Sequence, residues 1–415
     1  MSSFNLDTMS PVNASPSEKV FLHRARVVVP VIQPPIDDGA VLVADGVIQD
    51  VGPYRLLRRQ AFAPHVSDHW EGAVLPALIN AHTHLDLSGL AGHLRPEGGM
   101  AAWIRELLAA RQRLGTAEAA AARWQALASL RALGTGVVGD IDSSSTFTEE
   151  NTPGLPLVRT FFEVLGLNAK RLQGALRSLS APARRALATG REEISLAVHA
   201  PYTSSANLLG EVKAWGAARG KIVSVHAGES EEENVFLRTG RGRLRDLLEE
   251  RGMEPGRWRP PGCTAVEYLD RLGFLDPLSL CVHVVQVNEN EIHLLRRSGA
   301  GVCLCPRSNL FLGHGLPPVA RFLEAGIPCA IGTDSLASNE DLSLFKEMAV
   351  LVDRCGIRAD TVIGMATLHG ARNLGLAGRY GSLEKGKRWL AIRVAGDKEE
   401  DIIGAGCRGA VEWAP

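Results

Sequence analysis

The sequence predicts an α/β protein: a closed parallel (β/α)8 TIM barrel with a small β-sandwich formed by both chain ends. Two observations carry this. Eight short apolar runs end in polar residues, namely VLPALINAHTH, TGVVGDID, LVRTFFEVLG, ISLAVHAP, KIVSVHAGES, LSLCVHVVQ, AGVCLCPRSN and PCAIGTDS, and they alternate with helical stretches such as AAWIRELLAARQRLG. Strand-rich segments lie outside that alternation, at both ends of the chain. A doubly wound open sheet competes, but neither GxGxxG nor GxxxxGK[ST] follows an early strand.

Taken in order, residues 1–18 lack both a basic start and an apolar core and read as a disordered tail. Residues 19–74 hold RARVVVPVI, GAVLVADG and VIQDVG between Pro, Gly and Asp turns, which predicts a small antiparallel sheet, the N-terminal part of the sandwich. Residues 75–374 form the barrel. Residues 375–415 return to strand character in GSLEKGKRWLAIRVAG and complete the sandwich.

A chain of 415 residues can bury the core of one large domain with a smaller appendage. Lys plus Arg number 45 against 46 Asp plus Glu, with no long basic run, so nucleic acid is not expected as a partner. No uncharged apolar run reaches the roughly 20 residues that cross a bilayer, so no membrane partner is expected either. The seven cysteines lack CxxC spacing, which fits a cytoplasmic protein, and Cys303 and Cys305 read as core residues.

A barrel gathers its eight strand ends around one mouth, so the polar residues there define the chemistry. They are His82 and His84, His199, His226 with Glu229, His283, and Asp334. In a strand, residues i and i+2 share a side, so His82 and His84 converge, whereas on a helix they would lie about 200° apart. A lone HxH is more often a hydrogen-bonded pair, and a lone Asp often caps a helix. Two imidazoles from one strand, a third from His226 and the Asp334 carboxylate leave an open coordination position, as catalytic zinc requires. Lys170, Lys213 and Lys221, the lysines available to bridge a second ion, lie at no predicted strand end, which favours one metal.

The ordered set HTHLDLS, HAPYT, HAGES, VHVVQ, CPRSN and GTDSLAS resembles the amidohydrolase superfamily, in its deaminase and chlorohydrolase branch, over nearly the whole chain. The resemblance implies that His82, His84, His226 and Asp334 hold one divalent ion, Zn2+ before Fe2+, which acidifies its water. It implies that Glu229 shuttles protons to the ring nitrogen and then to the leaving group, while Glu231, Glu232 and Glu233 read as a solvated acidic run. It also implies that His283 and Asp334 orient the attacking water and that His199 faces the substrate. Relatives often dimerise, which leaves a homodimer open. The segment RWLAIRVAGDKEEDIIG departs from the family's usual ADLVVxD pattern, so the closing strands are less defined than the barrel.

WRPPGCTAVEYLDRLGFL, CPRSNLFLGHG and DSLASNEDLSLFKEM look most like the aminodeoxyfutalosine deaminases of the futalosine route to menaquinone. This implies hydrolytic deamination of a 6-aminopurine nucleoside with release of ammonia. The alternatives are 5'-methylthioadenosine or S-adenosylhomocysteine deamination, guanine deamination, and a barrel kept as a non-enzymatic scaffold. The favoured substrate bears a benzoate, so a cation near the mouth should meet it; Arg307 suits by position, or else it pairs with a neighbouring carboxylate. Asn309 and His314 are candidates for the sugar, or else serve their turn. Trp103 is a candidate for the pocket wall or for core packing.

Overall fold

The computed structural model describes residues 20–60, 65–95, 97–143, 147, 152–168, 171–253 and 258–415. The expected N-terminal tail and Lys170 lie outside them. The two chain ends build a six-stranded mixed sheet from β1 (Val20–Val28), β2 (Ile36–Ala44), β3 (Val47–Pro53), β4 (His65–Pro76), β13 (Ala391–Val394) and β14 (Val411–Trp413), in the order β14-β13-β4-β1-β2-β3. The barrel comprises β5 (Leu78–Thr83), β6 (Thr135–Asp142), β7 (Leu157–Val164), β8 (Ile194–Val198), β9 (Val223–Ala227), β10 (Ser279–His283), β11 (Gly301–Leu304) and β12 (Cys329–Ile331). These pair in sequence order, each parallel to the next, and all eight apolar runs become barrel strands.

The first and last strands close the barrel at the predicted metal donors. The N–H groups of Thr333 and Asp334 both donate to the His82 carbonyl at 3.1 Å, and the Thr83 hydroxyl donates to the Asp334 carbonyl at 2.6 Å. Gly332 makes this approach possible, because a Cβ there would lie 2.7 Å from the His82 carbonyl oxygen.

Strand alternation sorts the side chains into two layers. On β6, Val137 and Ile141 enter the barrel, while Val138 packs on Ala126, Leu127 and Leu130 of the helix Thr116–Ala132. On β7, Phe161 faces inward, and Phe162 and Val164 face the helices. Burying a side chain of this size stabilises the fold by about 1.5–3 kcal/mol, and truncating Phe161 to Ala would cost about 3–5 kcal/mol. Several helices start on matched caps: Ser230 accepts from Glu233 N at the helix Glu231–Thr239, and Thr264 and Asn288 form capping boxes with Glu267 and Glu291.

The small sheet corrects one expectation. β1 to β3 are antiparallel, but β4 runs parallel to β1, because the helix Tyr54–Gln60 after β3 serves as a crossover. β13 pairs antiparallel with β4, as GSLEKGKRWLAIRVAG suggested. Beyond it, before the closing strand β14, stands a helix, Glu399–Cys407. It packs on the helix Leu344–Cys355, and Gly406 meets the Phe345 ring so closely that a Cβ would lie 2.3 Å from it. Among the described residues no helix is long and apolar enough to cross a membrane.

Candidate functional site

Three imidazoles converge at the barrel mouth. His84 Nε2 and His226 Nε2 are 3.3 Å apart, and donor nitrogens of His82, His84 and His226 all lie within 4.8 Å of one another. Asp334 turns Oδ1 toward His84 Nε2 at 3.6 Å and His82 Nε2 at 3.7 Å. Different local devices aim these groups. A register irregularity between Asn80 and Thr83 shifts the alternation of β5, and His84 stands just past the strand. His226 points inward by simple parity with Ser224, opposite Val223 and Val225. Asp334 adopts a φ of +56°, a conformation that non-glycine residues hold only where surrounding bonds fix it.

Hydrogen bonds behind the donors set their lone pairs. His226 Nδ1 donates to the His199 carbonyl at 2.6 Å, which leaves Nε2 free to ligate. Asp334 Oδ2 accepts from the Ser308 and Ser338 hydroxyls, each at 2.6 Å, which leaves Oδ1 facing the histidines. Both ring nitrogens of His82 are buried without a hydrogen-bond partner, an orphaned state that a ligated cation would relieve.

Burial pushes His82 down to about 4 and His226 well below the ordinary imidazole value, so both present neutral nitrogens. Burial alone would raise the Asp334 carboxyl, but the surrounding imidazoles, His82 foremost, hold it well below the usual carboxylate range. Neutral imidazoles and an ionised carboxylate are the forms that bind a divalent cation. The residues present therefore fit the metal that the fold implies. Lys213 and Lys221 lie elsewhere: Lys213 bonds Asp276 and Ser279, and Lys221 bonds backbone carbonyls including that of Ile194.

Glu229 and His283 face each other beside this centre, with His283 Nε2 3.7 Å from Glu229 Oε1. Plain alternation would point His283 outward with Cys281; a φ of +72° at His283 re-aims the ring into the mouth, 5.5 Å from the His226 ring centroid. Asn309 Oδ1 accepts from His283 Nδ1 at 2.8 Å, so Asn309 stands behind a histidine rather than against a sugar. Glu233 corrects the reading of a solvated acidic run. It is buried, its carboxylate accepts the Glu229 N–H at 3.0 Å, and burial raises it to about 8. Glu232 is also engaged, accepting the Ala101 N–H at 3.1 Å.

A cleft of about 1030 Å³ opens over the donors, and His199, Trp103, Glu229, His283 and Asp334 line it. Trp103, which lines the cleft, also belongs to an apolar cluster with Leu87, Leu90 and Ala337. Arg307, Asn309 and His314 are not among the lining residues. Arg307 is held by Asp341 at 2.7 Å and by Glu347 at 3.9 Å, so the structure places it in an ion-pair network behind the mouth. His314 offers its carbonyl to Gln286 Nε2 at 2.9 Å. The cations that do line the cleft are Arg111, Arg171, Arg177 and Arg251; Arg111 also pairs with Asp86 at 2.9 Å. None of these was marked by strand position, because each comes from a helix or connecting segment. Glu163 was missed too, although its parity with Phe161 on β7 signals an inward carboxylate.

The Amidohydrolase family profile matches residues 73–412. The chain is 33% identical over 367 residues to an aminodeoxyfutalosine deaminase of Deinococcus radiodurans, covering 85% of this chain and 84% of that protein. It is 29% identical over 364 residues to a 5-methylthioadenosine/S-adenosylhomocysteine deaminase of Syntrophobacter fumaroxidans, covering 85% and 78%. An adenosine deaminase of Xanthomonas campestris with bound zinc superposes with a TM-score of 0.78 at 27% identity, over 94% of this chain and 90% of that one. The aminofutalosine deaminase of Helicobacter pylori, solved with methylthio-coformycin, shares the fold with a TM-score of 0.79 at 23% identity, over 93% and 96%. Since the profile spans most of the sequence and its barrel mouth gathers a metal donor set, the chain belongs to the amidohydrolase family and is a metal-dependent hydrolase of C–N bonds.

Proposed function

We propose that the protein deaminates a 6-aminopurine nucleoside by hydrolysis, with 6-amino-6-deoxyfutalosine as the favoured substrate. The observation that carries this reading is the facing pair of Glu229 and His283 beside the His82, His84, His226 and Asp334 donors, at the base of a cleft of about 1030 Å³. When bound, a divalent ion, with Zn2+ favoured over Fe2+, supplies Lewis acidity and a solvent molecule made nucleophilic near neutral pH.

The chain's own groups do the rest. Glu229 protonates the ring nitrogen beside the attacked carbon and then passes a proton to the amine, without which ammonia leaves poorly. His283, fixed by Asn309 through Nδ1, presents Nε2 to the reacting centre and orients what attacks. Tyr202 and Trp103 help wall the cleft against bulk water. For a benzoate-bearing substrate, Arg171, Arg177 and Arg251 replace Arg307 as the candidate carboxylate partners.

The relative from Syntrophobacter fumaroxidans supports a second reading, deamination of methylthioadenosine or S-adenosylhomocysteine. Purified protein incubated with 6-amino-6-deoxyfutalosine, methylthioadenosine, S-adenosylhomocysteine, adenosine and guanine separates them by the absorbance change of each deamination. The highest kcat/KM should fall on 6-amino-6-deoxyfutalosine. Turnover of guanine alone, or of nothing in the panel, removes the proposal.

A further inference from the structure

At the end of β7, one strand over from the strand that leads into His199, stands Glu163. Its carboxylate oxygen and a ring nitrogen each of His199 and His226 lie within 4.8 Å of one another, and its Oε1 is buried without a hydrogen-bond partner. The hydrogen bonds around His199 show which of its nitrogens is already engaged. The Thr203 hydroxyl donates to the Ala200 carbonyl at 3.1 Å, so it accepts from His199 Nδ1 at 2.8 Å, and Nε2 is left as the ring atom available to a ligand. An unpaired carboxylate oxygen and a free ring nitrogen thus share one corner of the cleft. Leaving the buried Glu163 oxygen unmet costs about 1–3 kcal/mol, which a ligand bringing a donor would recover.

A cation fits this corner poorly. His226 commits Nδ1 to the His199 carbonyl and turns Nε2 to His84, so only Glu163 and His199 would be free to bind it. Position points to a different donor. Glu163 lies within reach of the metal donor His226, over whose centre the amidine carbon must lie, and two residues on the chain comes out at the exposed Leu165, with Leu167, Arg171 and Arg177 lining the same cleft. In a nucleoside with a 5' extension, the part between base and extension is the sugar, and its vicinal hydroxyls are two donors in a fixed geometry.

We propose that Glu163 is the substrate-positioning residue that accepts hydrogen bonds from the vicinal hydroxyls of the sugar, with His199 closing the same corner. The inference rests on the nucleoside reading above. It makes Glu163 a determinant of riboside over deoxyriboside specificity.

The test compares wild type and Glu163→Gln, metal-loaded, on the adenine nucleoside that wild type turns over fastest and on its 2',3'-dideoxy counterpart. Wild type should prefer the riboside by about 10–100-fold in kcat/KM, the worth of hydrogen bonds to a charged acceptor. The variant should lose most of that preference, chiefly through a raised KM for the riboside, while its rate on the dideoxy compound changes by less than about 3-fold. Metal content should stay the same. Equal losses on both nucleosides, or reduced bound metal in the variant, overturn the assignment. So does a wild type that treats the two nucleosides alike, a result that needs no variant to fold. Turnover of no adenine nucleoside at all instead removes the nucleoside reading itself, and this inference with it.

Discussion

Two histidine clusters in this molecule look alike in composition and differ in consequence. In the small sheet, His23 on β1 and His69 on β4 are buried, His23 Nδ1 lies 3.2 Å from His69 Nε2, and the His23 ring stacks on Trp389 at 4.3 Å between centroids. At the barrel mouth, His82, His84 and His226 are as tightly grouped, yet His82 finds no partner for either nitrogen and the Asp334 carboxylate faces the group. Burial lowers His23 and His82 alike to about 4. Buried imidazoles and depressed pKa values are therefore common to both. What separates them is saturation: the sheet pair is complete with one mutual contact and a stacked ring, whereas the mouth set, beyond the His84–His226 approach of 3.3 Å, leaves both His82 nitrogens unpaired and a negative charge aimed at one point.

Breaking the mouth set should have the largest effect. Asp334→Ala removes the carboxylate that faces His82 and His84, and it should lower bound metal and cut turnover by at least ~10³-fold, measured by metal analysis and steady-state kinetics. A variant that keeps metal and rate would erase the contrast between the clusters. Glu229→Gln sharpens it from within, because the donors stay intact while proton delivery is lost. Its metal content should match wild type, and kcat should fall ~10²–10⁴-fold. Asn309→Ala frees His283 to rotate without touching a donor, and a loss of ~10–100-fold in kcat with unchanged metal is expected.

The smallest catalytic effect belongs to the sheet. His23→Phe should leave metal content and turnover within about 2-fold of wild type and cost about 1 kcal/mol of stability, through the His69 nitrogen it orphans. It should also change the pH dependence of unfolding. The His23 pKa lies at about 4 in the fold against an ordinary value of 6.5, because burial and the neighbouring His69 disfavour its charge. The unfolded chain then binds more protons between those values, so this residue's contribution is complete above about 6.5 and lost as pH falls toward 4. In denaturant titrations across that window, His23→Phe should flatten the slope by up to about 1.4 kcal/mol per pH unit. A slope identical to wild type would show that the pair does not titrate as a buried unit.

The residues whose role follows from strand alternation were legible in the sequence. His199 and His226 sit where period-two parity and a strand end put them, and Asp334 follows the last strand, although its φ of +56° is fixed by bonds from elsewhere in the fold. Other placements depended on partners far away in the chain. Arg307 looked like a cation at the mouth until Asp341 and Glu347 claimed it from beyond the next strand. Asn309 looked like a sugar contact until the φ of His283 brought that ring against it. Glu233 looked solvated within an acidic run, but the turn before its helix folds it under the Glu229 amide. Glu163 was hidden by the apolar residues around it in FFEVLG, although the parity that exposes it was present.

By itself the sequence determined the barrel, its eight strands and the polar side chains that gather at its mouth, because apolar periodicity and polar strand ends are local properties that survive any arrangement of the rest. Only the tertiary structure decided which charged side chains face the cleft and which are neutralised behind it. That choice is made by carboxylates and amides from remote segments, through hydrogen bonds and ion pairs whose strength depends on burial that no local pattern encodes.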